Sequence, residues 1–256
     1  SEETKQKLHE AWEKRRSDPD YCEYLLKTSE RVKHQHQTQN ERKRILFNEL
    51  LVVDDRFSYI KGCIEGDGWF GAGSVHLATI DEDWAIYFLT ILKEWSGLKP
   101  TFRVRKIPSY HDQFWVNLYS RFVMEFIKEN EPTNFLEFLK GFYDAEGGSH
   151  FGKGGQCISL THSNLAILHR IKDFLLRHDV NAHIYQKPMR NGRVGGRVVF
   201  ARKPCYVLRI ANNKGIFWFY KNVGFRIGRK QQRLEEWAKW LQTFHRKRYL
   251  ESEVYG

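Results

Sequence analysis

The amino-acid sequence predicts an α+β fold in which one module of the order αββαββα occurs twice. The first observation is a phrase that is written twice, as YIKGCIEGDGWF at residues 59–70 and as FLKGFYDAEGGS at residues 138–149. The second observation is that the same succession of strand and helix patterns follows each phrase. Two copies of a phrase, each opening a matching block, are improbable by chance. We therefore predict two pseudo-symmetric halves within one chain.

The elements of the first block follow from hydrophobic periodicity. SVHLATI at residues 74–80 alternates as a half-buried strand does, and residues 81–95 carry acids in the first turn before apolar residues at helical spacing. KPTFRVRKI and DQFWVNLYS alternate on either side of a break at residues 108–112, a pattern typical of a hairpin. RFVMEFIKEN at residues 121–130 predicts the closing helix.

The second block repeats this order and adds one helix. Strand patterns occur in QCISLTH, NAHIYQK and PCYVLRIAN, and helical patterns occur at residues 163–179 and 215–223. Residues 229–248 predict a final amphipathic, basic helix. We assign residues 56–131 to the first half and residues 132–256 to the second. Residues 1–55 form a predicted helical extension, either an auxiliary DNA-binding arm or an ordered structural addition.

The net charge of +11 is concentrated in one part of the sequence. Residues 181–249 hold 17 Lys and Arg against 2 Asp and Glu, whereas the rest of the chain is nearly balanced. Such a field favours a polyanion, either nucleic acid or an anionic membrane surface, although a solvated surface is the alternative. The chain shows no apolar run of 18 residues and no signal peptide, so we expect an intracellular protein without a membrane span.

The duplicated phrase has its small residues at helical spacing. Gly62 and Gly66 in the first copy, and Gly141 and Ala145 in the second, lie four residues apart and so share one helix face without bulk. This face allows two helix backbones to approach closely about a pseudo-twofold axis. The glycines that end the two phrases, Gly68 and Gly147, resemble helix C-cap glycines.

Close packing of these helices would bring together two acids in equivalent positions, Asp67 and Glu146. A carboxylate at a helix C-terminus is electrostatically unfavourable, and a bound cation would reverse that cost. Two carboxylates, backbone carbonyls and waters are a suitable ligand set for Mg²⁺. The alternative interpretation is a pair of plain turns with solvated acids.

At these residues the chain resembles the LAGLIDADG homing endonucleases, specifically the single-chain type with two repeats. IKGCIEGDG at residues 60–68 and LKGFYDAEG at residues 139–147 match the nine-residue motif of that family. The resemblance implies a saddle of two four-stranded antiparallel sheets backed by helices, with the motif helices at the interface and DNA under the sheets. It implies that Asp67 and Glu146, with carbonyls near Gly66 and Ala145, bind Mg²⁺ or another divalent ion such as Mn²⁺, and that Ca²⁺ supports binding without cleavage.

The outer parts of the implied active site depart from the family. The family often has Gln or Lys at the end of the second strand of each half, where this chain has Ile80-Asp81 and His162-Ser163. KQQRL at residues 230–234 resembles the family segment that carries the active-site lysine. Lys230 is therefore the candidate, with Arg229 as the alternative register and an ordinary helix-terminal base as the other interpretation.

Strand alternation assigns the residues that would face DNA. In the first half, Phe102, Val104, Val116 and Leu118 point toward the helices, which leaves their neighbours on the open face. Residues 189–197, MRNGRVGGR, predict a flexible Gly-rich loop suited to phosphate contact. The predicted DNA-binding residues are His76, Arg103, Arg105, Asn117, Tyr119, His183, Tyr185, Lys187, Arg190, Arg193, Arg197 and Arg209.

These features predict a site-specific double-strand DNA endonuclease that hydrolyses phosphodiesters with divalent metal ions. Because one chain carries both motif copies, we expect a monomer on an asymmetric duplex site. Two alternatives of the same fold remain: an intron splicing cofactor (maturase) that binds RNA, and a catalytically inactive DNA-binding regulator. Both motif acids are present in this chain, and the loss of one would be the sequence sign of the inactive regulator.

Overall fold

The computed structural model of the chain describes residues 51–107, 111–152, 155–188, 192–194, 197–199 and 204–254, with isolated positions among the first fifty. Its two compact units are residues 1–50 and residues 51–256. In the first unit the described positions 5, 6, 19, 23 and 27–31 are helical. The role of the N-terminal extension and the domain boundaries given above stay predictions.

The second unit begins with the first αββαββα block. Its opening helix is capped by Asp54, whose Oδ1 accepts a hydrogen bond from the Phe57 N–H at 2.9 Å. Ser120 caps the closing helix in the same way, through the N–H of Val123. The elements are α1 Asp55–Gly66, β1 Gly68–Gly71, β2 Ser74–Thr79, α2 Glu82–Ser96, β3 Thr101–Arg105, β4 Gln113–Tyr119 and α3 Arg121–Glu129.

The second block repeats the order and contains one insertion. Asparagines cap three of its helices: Asn134, Asn164 and Asn212 each accept a hydrogen bond from the first helical turn. The elements are α4 Phe135–Glu146, β5 Gly147–Gly152, β6 Gly155–His162, α5 Leu165–Arg177, β7 His183–Lys187, β8 Gly192–Val194, β9 Arg197–Val199, β10 Cys205–Ile210, α6 Asn213–Asn222 and α7 Gly228–Val254.

Two four-stranded antiparallel sheets with the same topology confirm the predicted α+β fold. The first sheet has the order β1-β2-β4-β3 and the second has the order β5-β6-β10-β7. The equivalent central pairs are β2 with β4 and β6 with β10. Each sheet therefore places its second strand and its last strand in the middle, and its helices cover one face.

Two local predictions were wrong. Residues 189–197 were expected to form a flexible loop, but Gly192–Val194 and Arg197–Val199 pair as an antiparallel two-stranded ribbon. For Gly68 the C-cap prediction was wrong, because Asp67 is the C-cap residue of α1 and Gly68 begins β1. Gly147 is the C-cap residue of α4, but its φ of −85° and ψ of 159° are extended and not left-handed. They are required for space instead, because a Cβ on Gly68 would lie 2.6 Å from Ile64 Cα and one on Gly147 would lie 2.5 Å from the Tyr143 carbonyl oxygen.

Each half has its own hydrophobic core between its sheet and its helices. The first includes Trp84 and Phe88 of α2, and the second includes Leu168 and Ile171 of α5, all of them almost completely buried. Ile227 is an exception, because it belongs to the second half of the chain yet packs in the first core. Residues 226–230 therefore connect the two halves. Of the helices in the described ranges, none combines the length and the apolar composition that a bilayer span requires.

Candidate active site

The two motif helices, α1 and α4, approach each other through reciprocal glycines. A Cβ on Gly62 would lie 2.1 Å from the Phe138 carbonyl oxygen, and a Cβ on Gly141 would lie 2.2 Å from the Tyr59 carbonyl oxygen. Phe138 and Tyr59 occupy equivalent positions in the two phrases, so the contact is the same in both directions. No larger side chain fits at either glycine without separating the helices.

The same packing continues at the C-terminal ends of the helices and brings the two predicted acids together. A Cβ on Gly66 would lie 2.4 Å from the Ala145 Cβ and 3.2 Å from the Glu146 Cγ. Asp67 is the C-cap residue of α1, and Glu146 is the last residue of α4. The four small residues that sequence analysis assigned to the helix interface thus lie along this contact, and Asp67 and Glu146 lie at its end.

The electrostatic environment disfavours the charged form of both acids. Burial raises the pKa of Glu146 to about 7, and the negative charge of Asp67 adds to the effect, while Lys230 opposes it. Burial also raises the pKa of Asp67, again opposed by Lys230, and the carboxylate of Asp81 contributes in the raising direction. A bound cation would stabilise the charged forms of two such neighbouring carboxylates.

Lys230 lies beside these acids, in the first turn of α7. The side chain is buried, and its Nζ donates a hydrogen bond to the Asp144 carbonyl oxygen at 2.7 Å. Burial lowers the pKa of this ammonium, and the nearby carboxylates, Asp144 first, partly restore it. The structure therefore places the candidate lysine against the motif helix of the second half, with its charge facing both acids.

Residues 226–230 are held by a buried hydrogen-bond network that sequence analysis missed. The carboxylate of Asp144, 1% exposed, accepts hydrogen bonds from the Tyr59 hydroxyl and from the Arg226 N–H, both at 2.7 Å. Trp84 Nε1 in turn donates to the Tyr59 hydroxyl at 3.0 Å. Burial raises the pKa of Asp144 to about 6, although these hydrogen bonds favour the ionised form. The network connects both motif helices to the segment that carries Lys230.

The residues after the second strand of each half line the edges of the site. Asp81 accepts two hydrogen bonds from the Arg229 guanidinium, at 2.5 and 2.9 Å, so Arg229 is engaged in an ion pair. In the other half, His162 packs edge-on against the Phe142 ring, and burial lowers its pKa. The two ends differ chemically, because one presents an ion pair and the other presents an imidazole packed against an aromatic ring.

The donor set at this position fits a divalent cation with oxygen ligands. In the ranges that the structure describes, no cluster of three or more His, Cys, Asp and Glu side chains could hold a metal ion. A cation beside Asp67 and Glu146 would therefore also need backbone carbonyls, waters or phosphate oxygens, which is the ligand set that Mg²⁺ prefers. A cavity of about 250 Å³ adjoins Asp67, and its lining also includes Asp81, Gln113, Ala145 and Lys230.

The outer face of the first sheet carries the predicted DNA-binding residues of that half, but one of them is covered. Arg103, Arg105 and Tyr119 are exposed. Asn117 is only 4% exposed, and the His76 Nδ1 lies 2.6 Å from its Oδ1. The side chain of Asn117 is therefore buried in this conformation, and its direct contact with DNA stays a prediction.

The outer face of the second sheet is open. His183, Tyr185 and Lys187 are exposed on β7, and Arg209 is half-buried on β10. Register pairs Arg209 with Ser159 and with His183, so these side chains share one row across the sheet. Arg193 and Arg197 lie in the β8–β9 ribbon, and Arg190 lies outside the described residues.

Sequence comparisons relate part of the chain to one family model and most of it to an uncharacterized protein. Residues 135–224 match the family model described as a LAGLIDADG-like domain. The uncharacterized protein MJ0398 of Methanocaldococcus jannaschii is 26% identical over 212 residues, which cover 74% of this chain and 75% of that protein.

Solved structures are similar to the chain at the level of the fold. Full-length DUF199/WhiA from Thermatoga maritima has a TM-score of 0.52 and 17% identity, and the match covers 78% of this chain and 66% of that one. The structure of I-DmoI in complex with DNA and Ca has a TM-score of 0.49 and 18% identity, and covers 67% of this chain and 90% of that one. The fold is that of LAGLIDADG proteins, as the duplicated phrase predicts.

Proposed function

We propose that this chain, whose residues 135–224 form a LAGLIDADG-like domain, is a site-specific endonuclease that hydrolyses both strands of duplex DNA with divalent cations. One observation carries the proposal: an acid from each half stands at the joined ends of the two motif helices, and a buried lysine faces both. Each acid has a raised pKa, so the charged pair is costly for the fold unless a cation is bound. A purely structural turn would not need this arrangement.

The residues of the site have separate tasks. Asp67 and Glu146 would hold the cations, which supply Lewis-acid activation of the phosphate and of the attacking water. Lys230 would place its ammonium near the scissile phosphate and stabilise the negative charge that develops there. Because each half contributes one acid, the pair can serve one cut in each strand.

The outer faces of the two sheets would hold the duplex on either side of the acids. Exposed basic residues occur on both faces, Arg103 and Arg105 on the first and Lys187 on the second. Their contacts with phosphates would make affinity depend steeply on salt. Because the two halves belong to one chain and differ in sequence, one chain would bind one asymmetric site.

The test is a cleavage screen of the purified chain against a randomised duplex library in Mg²⁺ and in Mn²⁺. We expect double-strand cuts by the wild type. Asp67→Asn and Glu146→Gln remove one charge each and should lower cleavage by at least about a hundredfold while specific binding in Ca²⁺ persists. Asp173→Asn is the matched control, because Asp173 is an exposed acid on α5 and its removal should leave cleavage unchanged.

Other outcomes would point to another function. If the wild type binds a specific duplex but cuts no strand in either metal, the chain is a DNA-binding protein without nuclease activity. If it binds structured RNA more tightly than any duplex, the splicing-cofactor alternative is favoured. Light scattering of the complex that gave two chains per duplex would contradict the monomeric arrangement.

A further inference from the structure

The outer faces of the two pseudo-symmetric sheets differ in their chemistry. On the first sheet, aromatic rings form a contiguous cluster in which Trp69 stacks on His76 with 5.1 Å between ring centroids and meets Trp115 edge-on at 5.3 Å. Tyr119 packs edge-on against the same His76, and is 63% exposed. Trp69 is 38% exposed. The centre of this face is therefore a surface of ring carbons.

The polar groups at the centre of the first face are already engaged within the protein. The His76 Nδ1 lies 2.6 Å from the Asn117 Oδ1, and the His76 Nε2 lies 2.7 Å from the Ser74 Oγ. Trp115 Nε1 donates to the Gln113 Oε1 at 3.0 Å. Reading a base edge through His76 or Asn117 would require breaking one of these hydrogen bonds.

The second face is a hollow instead, with polar groups among its lining residues. A cavity of about 850 Å³ lies over the sheet, between its outer face and the side of α7. Its floor includes Ser159, Thr161 and Arg209, and Arg233 and Glu236 of α7 form part of one wall. Ser159, Thr161 and Arg209 line this cavity, whereas His76 and Asn117 of the first face are hydrogen-bonded to each other.

Arg209 occupies the centre of the hollow. It lies on the central strand β10, in one row with Ser159 and His183. Its Nε is buried and has no hydrogen-bond partner among the residues that the structure describes. Its Nη2 lies 3.9 Å from the place where a Cβ on Gly155 would stand. A buried donor without a partner is costly, and a ligand that accepts from the guanidinium would remove that cost.

We propose that the two halves recognise their DNA half-sites by different chemistry. Arg209 reads a guanine in the half-site under the second sheet through hydrogen bonds. The aromatic surface of Trp69, Trp115 and Tyr119 contacts the other half-site through apolar groups, mainly thymine methyls. This inference rests on the proposed function, because it concerns the duplex that the sheets would hold.

The chemistry of the base edges motivates each assignment. Guanine presents two acceptors, O6 and N7, in the major groove, and the arginine fork matches both. A good bidentate pair of this kind discriminates against the wrong base by about 5- to 150-fold. Ring carbons offer no hydrogen bond, but they bury the thymine methyl, and one buried methyl contributes about fourfold in affinity.

The experiment uses the wild-type chain in Ca²⁺ and duplexes selected from a randomised library by binding alone. Single bases of the selected site are then replaced by analogues. We expect that 7-deazaguanine, which lacks the N7 acceptor, lowers affinity about fivefold or more at one guanine in one half-site only. Deoxyuridine, which lacks the methyl group of thymine, should lower affinity about fourfold per contacted thymine in the opposite half-site.

A pair of variants assigns the half-sites to the sheets. Arg209→Gln should reduce the guanine preference at the sensitive position to below about twofold, with folding checked by thermal unfolding. Arg103→Gln is the matched control, because Arg103 is an exposed arginine on the outer face of the first sheet. We expect it to leave that preference unchanged.

The outcomes separate the inference from the proposed function. Equal sensitivity to 7-deazaguanine in both half-sites would overturn the inference and leave the endonuclease proposal standing. An Arg209→Gln variant that keeps the full guanine preference would do the same. Failure to select any duplex would refute the proposed function, and the inference with it.

Discussion

The pKa of Glu146 predicts how the affinity for divalent cations depends on pH. Burial, assisted by the charge of Asp67, raises this pKa to about 7, so the carboxyl is about 90% ionised at pH 8 and about 10% ionised at pH 6. A cation needs the ionised form and must displace the proton. The apparent affinity should therefore fall about tenfold from pH 8 to pH 6, and binding should release about 0.9 proton at pH 6 but about 0.1 at pH 8.

Calorimetric titration of Mn²⁺ into the free chain measures both quantities, if each pH is studied in two buffers of different ionisation enthalpy. In the Asp67→Asn variant, the like charge that raises the Glu146 pKa is removed, so the fall in affinity should move to lower pH. Burial remains the larger cause, so the shift should be partial. Near-zero proton release at pH 6, together with an unchanged affinity, would refute the view that Glu146 is a ligand with a raised pKa.

Three further predictions concern packing, charge and salt. Gly141→Ala should lower the free energy of unfolding by about 3 kcal/mol, because the new Cβ would clash with backbone atoms of α1. Gly152→Ala is the control and should be nearly neutral, because no atom lies within 4 Å of its new Cβ. Denaturant unfolding measures both variants, and equal stabilities would contradict the close helix contact. Lys230→Met should lower the single-turnover cleavage rate about a hundredfold at saturating duplex. A variant that cleaves at the wild-type rate would show that Lys230 does not take part in cleavage. Replacing Arg193 and Arg197 by Ala should flatten the dependence of log affinity on log salt by about 2, and an unchanged slope would show that the ribbon makes no phosphate contact.

The faces of the strands could be predicted from the sequence because side chains alternate with a period of two. Alternation placed Arg103, Tyr119 and Arg209 on the outer faces, where the structure has them. It could not predict the burial of Asn117, whose side chain is hydrogen-bonded to His76 on a neighbouring strand, 41 residues away. Exposure on a strand face depends on register across the sheet, which the local pattern does not contain.

The two acids of the candidate site could be predicted from the sequence, whereas the network that holds the segment before Lys230 could not. The duplicated phrase indicated Asp67 and Glu146 directly, since both acids lie within the repeated letters. Asp144 lies in the second copy of the same motif, yet its role depends on Tyr59, 85 residues away, and on Arg226, 82 residues away. Sequence spacing could mark Asp144 as an acid on the motif helix, but only the fold shows that it is buried and anchors the segment before Lys230.

The connection made by residues 226–230 also orders events during biosynthesis. Ile227 completes the core of the first half, and the N–H of Gly228 donates a hydrogen bond to the Asp83 carboxylate. Gly228 is synthesised 145 residues after Asp83. A nascent chain on the ribosome can pair α1 with α4 as soon as both have emerged, but it lacks Lys230 at that time. Lys230 is therefore added to the candidate site late, after the strands of both sheets have been translated.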